Sequence, residues 1–350
     1  MNKPRPVKTF FVVLSLVVIG VFATLLSGQA QESKSPVQQR PRQVFPRDDP
    51  PPDEIIKFDT DLVSLDVVAQ DAQGRLVRNL KAQDFKLYFD NVEQPLAFFQ
   101  MEQRSGQPRP LALVFALDIS GSMTPEEMER LRVALNAFSA RLAGHSTSYA
   151  VMSFGMNVKV VQKFTSEIDK LDRAFERIAR DPNGLSTHTY DAVDDAIRLL
   201  VRQAPRTRDH RLMKRAVLVV TDGFPVGDTV SPRTVIERAN MADASIYIVT
   251  LPSYSRILPA LSQNPLPTPL DVSGLADRTG GRSVYAEEQN YEALFRALAE
   301  EVTSAYLLAF YPPEAKRRDG QFHNIRIEGP AGLLLKQSRP GYQADGGKGR

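Results

Sequence analysis

Two uninterrupted apolar runs, each closed by an aspartate-bearing turn, constrain this chain more than any other feature. Leu111 to Leu117 runs into Asp118-Ile119-Ser120-Gly121-Ser122, and Ala216 to Val220 runs into Thr221-Asp222-Gly223. A strand apolar on both faces must be covered on both faces, so the pattern predicts a mostly parallel sheet between layers of helix. The intervening sequence agrees. Met128, Leu131, Leu135, Phe138 and Leu142 share one helix face, as do Ile168, Leu171, Phe175 and Ile178. Ala192 to Val201, Val235 to Ala242 and Tyr291 to Val302 are also helical in pattern, with a short helix at Leu275 to Thr279. Tyr149 to Phe154, Val158 to Val161, Ile246 to Leu251 and Val284-Tyr285 are strand-like. Residues 109–304 are therefore expected to form an α/β domain with a doubly wound, mostly parallel sheet. Residues 252–269 hold five prolines and are expected to loop out at one end of that sheet.

The flanks differ in rhythm. In residues 55–105, Leu62 to Val68, Phe85 to Phe89 and Leu96 to Met101 are strand-like, with turns at Asp71-Ala72-Gln73-Gly74 and Asp90-Asn91. In residues 305–344, Tyr306 to Tyr311, Phe322 to Glu328 and Leu333 to Lys336 alternate in the same way. Neither flank has enough strands to stand alone. Together they are expected to complete one β-sandwich-like domain, into which the α/β domain is inserted.

The start of the chain is a separate object. Lys3, Arg5 and Lys8 precede an apolar run from Phe10 to Leu26, and Gly28-Gln29-Ala30 suits a signal peptidase. Residues 1–30 are read as a secretory signal peptide; left uncleaved, the same run would be an inner-membrane anchor. The chain is thus expected to be exported, periplasmic or extracellular. Residues 31–54, rich in Pro, Gln and Arg, are expected to be a disordered linker, and residues 345–350 a disordered tail. Subtracting the leader's three basic residues from the 44 of the chain leaves a balance with its 41 acidic ones, so charge argues for no nucleic-acid partner. The absence of cysteine excludes disulfides and thiolate metal sites.

In an open α/β sheet, ligands sit beyond the carboxyl ends of strands where the strand order reverses. Asp118, Ser120 and Ser122 alternate along one turn and can aim three oxygens at one point, while Gly121 lets the backbone bend. Asp222 would face Asp118 if the two apolar strands are neighbours. Gly184-Leu185-Ser186-Thr187, a loop entering a helix, offers Thr187 as a further hydroxyl, with Ser186 and Thr189 close enough to replace it. Two carboxylates with hydroxyls suit a hard cation, Mg²⁺ first, with Mn²⁺ or Ca²⁺ as alternatives. Two aspartates only neutralise the ion, which keeps an appetite for one more anionic oxygen, such as an Asp or Glu of a partner protein.

These residues resemble a known family. Residues 109–304 look like a von Willebrand factor A domain, and Asp118, Ser120 and Ser122 match its D-x-S-x-S metal-ion-dependent adhesion motif. Thr187 falls at the family's loop threonine, Asp222 at its T-D-G aspartate, and Tyr149 to Gly155 is similar to its second strand. The resemblance implies direct cation ligation by Ser120 and Ser122. It implies ligation by Thr187 directly or through water, and by Asp118 and Asp222 largely through waters. In the flanks, Asp71 to Arg75, Leu80 to Phe85, Tyr306 to Pro312 and Arg339 to Tyr342 resemble a bacterial, Acidobacteria-type group of such proteins.

Other features have blander readings. His188 is read as a loop histidine beside the site; His145, His210 and His323 show no zinc spacing. Arg202, Arg206, Arg208, Arg211, Lys214 and Arg215 are read as a solvated connector at the sheet end opposite the metal. Glu126, Glu127 and Glu129 suit a helix N-terminus, and Asp191, Asp194 and Asp195 are read as surface charges, with carboxylates standing behind the metal ligands as the alternative. There is no G-x-S-x-G elbow with a histidine partner and no G-x-x-x-x-G-K-[ST] loop, which argues against an enzyme. The leading expectation is a metal-dependent protein-binding module of adhesion or assembly type. The rivals are an envelope scaffold in which the metal only stabilises, and a metal-assisted hydrolase, for which no general base stands out.

Overall fold

The computed structural model describes residues 62–101, 109–120, 124–179, 186–208, 211–251, 267–287, 291–303 and 305–344. The expectations for the leader, the linker, Ser122, most of the proline-rich stretch and the tail lie outside these residues. Among the described residues no helix is long and apolar enough to cross a membrane.

In chain order, the first flank contributes β1 (Val63–Gln70), β2 (Lys86–Phe89), β3 (Val92–Gln94) and β4 (Phe98–Met101). There follow β5 (Leu111–Asp118), α1 (Pro125–Leu142), β6 (Ser148–Phe154), β7 (Val158–Thr165), α2 (Ile168–Ala179) and α3 (Thr189–Gln203). A small hairpin of β8 (Thr207–Arg208) and β9 (Arg211–Leu212) leads to β10 (Lys214–Thr221), α4 (Pro232–Ala242) and β11 (Ala244–Thr250). Then come α5 (Pro269–Val272), β12 (Ser283–Tyr285) and α6 (Tyr291–Val302). The second flank adds β13 (Tyr306–Phe310), β14 (Phe322–Glu328), β15 (Leu334–Gln337) and β16 (Gly341–Gln343).

The central sheet has the order β12-β11-β10-β5-β6-β7, with only the edge strand β7 antiparallel. Every residue of β5 is buried because both faces are roofed. Leu111, Leu113, Phe115 and Leu117 pack in one core with residues of α1, α2 and α6, while Ala112, Val114 and Ala116 pack in another with α3 and α4. Local signals start the helices. Thr124 accepts from the Glu127 amide at 3.2 Å, and Glu127 accepts in return from Thr124 at 3.1 Å. Ser231 caps α4 with proline at the next position. From β5 the chain moves to β6 on one side, then returns to β10 on the other. The order therefore reverses between β5 and β10, and their carboxyl ends open the crevice where this architecture binds ligands.

The two flanks interleave as expected. β1 pairs with β13 and β15, β4 with β13, and β2 with β14. Val63, Leu65, Val67, Leu87, Phe89, Leu308, Phe310, Ile325 and Ile327 form their common core. His323 is not a stray surface residue: it is 3% exposed, with its ring nitrogens 2.8 Å from an Asp90 oxygen and 3.0 Å from an Asp319 oxygen.

The basic run before β10 is not wholly a solvated connector. Lys214 and Arg215 are buried, because β10 begins beneath the β domain. Asp66 of β1 pairs with Arg109 and lies 3.7 Å from Lys214 Nζ. Arg339 donates to the Ser64 carbonyl, and Ser64 Oγ donates to Asp243 at 2.9 Å. Charged groups from β1, the entry to β5, the start of β10, the end of α4 and the closing strands thus meet at one seam.

Candidate metal centre

Register explains why the two key aspartates meet. Leu117 of β5 pairs with Val220 of β10, so the next residues are Asp118 on one strand and Thr221-Asp222 on the other. Asp118 is 1% exposed and Asp222 5%. Thr221 Oγ1 donates to Asp118 Oδ2 at 2.7 Å, and the Ser120 amide donates to Asp118 Oδ1 at 2.8 Å. The Asp222 carboxylate accepts from the Phe224 amide at 3.1 Å. Neither aspartate has an ion pair among the described residues. Burial first, then the negative charge of Asp222, pushes the Asp118 carboxyl up to about 6. Two desolvated carboxylates with no basic partner nearby match the needs of a divalent cation.

Thr221 is the residue whose role the sequence reading missed. It closes the apolar run Ala216 to Val220, and its hydroxyl fixes the carboxylate of the neighbouring strand. Gly223 follows at φ +87°, and a Cβ there would lie 2.7 Å from Thr268 Cγ2, the cap of α5. Only glycine lets the backbone turn this close behind Asp222.

Thr187 is 5% exposed and forms a β-bridge with Val226, four residues beyond Asp222. Its amide donates to Val226 at 3.3 Å and Val226 donates back at 2.9 Å. The neighbouring hydroxyls are already engaged: Ser186 donates to the Val226 carbonyl at 2.8 Å and Thr189 to the Thr187 carbonyl at 3.4 Å. The Thr187 hydroxyl makes no hydrogen bond among the described residues, which favours it over both neighbours as a ligand. Ser120 is 9% exposed and its hydroxyl hydrogen-bonds Asp118. Ser122 lies outside the described residues.

Asp191 and Asp194 are not free surface charges. Asp194 is buried at 2% and pairs with Arg198 and Arg238. Asp191 Oδ1 accepts from the Thr229 amide and hydroxyl, each at 3.0 Å, and from the Val230 amide at 2.8 Å. In return, Asp228 Oδ1 accepts from the Asp191 amide at 2.9 Å in the first turn of α3. Burial would raise the Asp191 carboxyl, but the Val230 and Thr229 amides hold it below its ordinary value. His188 is half-buried, with Nδ1 at 3.2 Å from Asp191. His188, Asp191 and Asp228 place ligand-type atoms within 4.8 Å of one another, yet the Asp191 oxygens are already occupied. The trio closes the loop after Asp222 onto the helix after Thr187. Asp191→Ala should therefore cost about 2 kcal/mol, the scale of hydrogen bonds to a charged group. Urea denaturation reads the loss, and hydrogen exchange should show the Thr229 and Val230 amides unprotected.

Residues 112–267 match the family model of the von Willebrand factor type A domain. The chain carries a von Willebrand factor type A domain. Matrilin-3 of Gallus gallus is 32% identical over 146 residues, which are 40% of this chain and 31% of that protein. The chain thus spans less than a third of the length of that relative. Two solved structures are similar. The von Willebrand factor type A protein from Catenulispora acidiphila has TM-score 0.44 and 12% identity, covering 72% of this chain and 75% of that one. An aerotolerance-related membrane protein from Bacteroides fragilis has TM-score 0.42 and 15% identity, covering 55% of this chain and 98% of that one. In this VWA domain, Asp118, Ser120, Thr187 and Asp222 all lie around the carboxyl ends of β5 and β10 or on the loops that follow them.

Proposed function

We propose that the chain is an exported, metal-dependent protein-binding module of adhesion or assembly type. Asp118, Ser120, Ser122, Thr187 and Asp222 hold one divalent cation, Mg²⁺ in preference to Mn²⁺ or Ca²⁺, and a partner's Asp or Glu carboxylate completes it. The observation that carries this is the pair of buried carboxylates at the β5/β10 switch point, with no cationic side chain among the described residues to neutralise them. Thr187, whose hydroxyl is unused, adds a neutral donor on the loop bridged to the residues after Asp222. The donors are all oxygen, and hard cations bind such sets. The cation would supply Lewis acidity toward the partner's carboxylate, and the chain's own residues would position it. Residues 1–30, as a signal peptide or an uncleaved inner-membrane anchor, would put this activity in the periplasm or outside the cell.

Titration calorimetry with MgCl₂, MnCl₂ and CaCl₂ tests the assignment. One site per chain is expected, with Asp222→Ala weakening the preferred ion by at least about 100-fold, as loss of a charged ligand from a hard-cation site implies. An unchanged affinity in that variant would end the proposal.

A further inference from the structure

A second site stands at the seam, away from the rim that carries Asp118. Between α4 and the closing strands β14 and β16 lies a cavity of about 380 Å³, lined among others by Arg206, Asn240, Met241, Phe322, Arg339 and Tyr342. That volume falls within the roughly 300–1,000 Å³ of small-ligand sites. Its lining is of two chemical kinds. Met241 is 65% exposed and Phe322 49%, large apolar groups held open to solvent. The other kind is cationic. Arg339 is 6% exposed, and its Nη1 donates to the Asn240 carbonyl at 3.5 Å. Among the described residues its Nε has no partner, and neither has the buried Asn240 Oδ1. Arg215 is likewise buried, its Nη1 and Nη2 donating to the Ala242 and Ala204 carbonyls and its Nε without a partner among the described residues. Arg206 is exposed and its side chain has no hydrogen-bond or ion-pair partner among the described residues.

Carboxylates do not balance these guanidinium groups. Asp243 lies 3.8 Å from Arg339 and also accepts from Ser64. Asp66 is taken by Arg109 and Lys214. Glu237, on the cavity wall, pairs with Arg233 at 2.9 Å. Native structures leave few buried polar atoms without partners, so a guanidinium Nε left without one beside a cavity is a place for an acceptor. A guanidinium is suited to a planar carboxylate, which it can meet through two parallel hydrogen bonds.

We propose that this cavity binds a small amphipathic carboxylate. The acid lies at Arg206 and Arg339, and the aromatic or aliphatic body lies against Met241, Phe322 and Tyr342. The ligand is either a free small acid or the C-terminal residue of a peptide, which share this chemistry. The site is independent of the cation, since it uses none of the five metal-site residues.

The test uses the full chain in chelator, so that the rim contributes nothing. Calorimetry compares 3-phenylpropionate with its neutral amide, and N-acetylphenylalanine as a mimic of a peptide C-terminus. Both acids should bind, and the amide at least tenfold more weakly. Arg206→Ala, at an exposed position with no partner, should weaken the acids at least tenfold and leave the amide unchanged. Met241→Glu should do the same to the acids by adding a like charge. Tighter binding of N-acetylphenylalanine identifies a peptide end as the ligand, and tighter binding of 3-phenylpropionate a free acid. The proposal is overturned if neither acid binds, if acid and amide bind alike, or if both folded variants bind the acids as the parent does.

Discussion

Asp66→Ala should lower stability by about 3–5 kcal/mol, the cost of removing one partner from a buried ion pair. Asp66 is the only ion-pair partner that buried Lys214 has among the described residues, and it also holds buried Arg109. Alanine would leave two cations beneath the β domain without the carboxylate that offsets their desolvation. Burial alone would raise the Asp66 carboxyl, but Arg109 and Lys214 hold it below its ordinary 3.8. A depressed acid contributes stability above its unfolded value and loses it as the pH falls through the folded one. The parent protein should therefore weaken below about pH 4 partly through this residue, and Asp66→Ala should flatten that part of the profile. Chemical denaturation at pH 7 and pH 4 measures both effects. A variant within about 1 kcal/mol of the parent at pH 7 would show that the seam charges are solvated after all. Replacing Asp66, Arg109 and Lys214 together by apolar residues should recover most of the loss, because no charge is then stranded.

Asp118→Asn should change stability in opposite directions with and without metal. In chelator, the Asp118 carboxyl titrates near 6, against an ordinary value of 3.8. A raised acid binds its proton more tightly when folded. The metal-free parent should therefore lose stability as the pH climbs from about 4 to about 6, and stay weaker above that window. Asparagine keeps the shape, removes the charge facing Asp222, and should be more stable than the parent at pH 7.5 by about 1–3 kcal/mol. Saturating Mg²⁺ should reverse the order. The parent should gain about 4.1 kcal/mol at a thousand times its Kd, while the asparagine form, lacking one of the proposed site's two carboxylates, should gain little. Thermal melts in chelator and in Mg²⁺ decide the matter. Equal Mg²⁺ shifts in both proteins would remove Asp118 from the cation's surroundings.

The fold was readable because its signals are local. The runs Leu111 to Leu117 and Ala216 to Val220 are apolar throughout, which only a doubly covered strand requires, and each leads straight into an aspartate-bearing turn. The roles that escaped the sequence depend on distant pairing. Thr221 looks like the start of a turn until β5 lies beside it in register. Asp191 looks like a solvated helix charge until the loop at Thr229 folds over it. Lys214 and Arg215 end a basic run of the kind that usually faces water, and only the placement of β1 above them turns them inward. His323 is caught between Asp90 and Asp319 for the same reason, since the hairpin at Asp90 belongs to the other flank.

Met101, the last residue of β4, sits opposite Tyr306, the first residue of β13, on adjacent antiparallel strands. The chain departs on β4 and re-enters on β13 at the same height, so the whole α/β body stands where a plain sandwich would have a hairpin tip. Its two covalent connections are side by side, and the pairs of Asp66 with Lys214 and of Asp243 with Arg339 fasten the body to the strands beneath at further points.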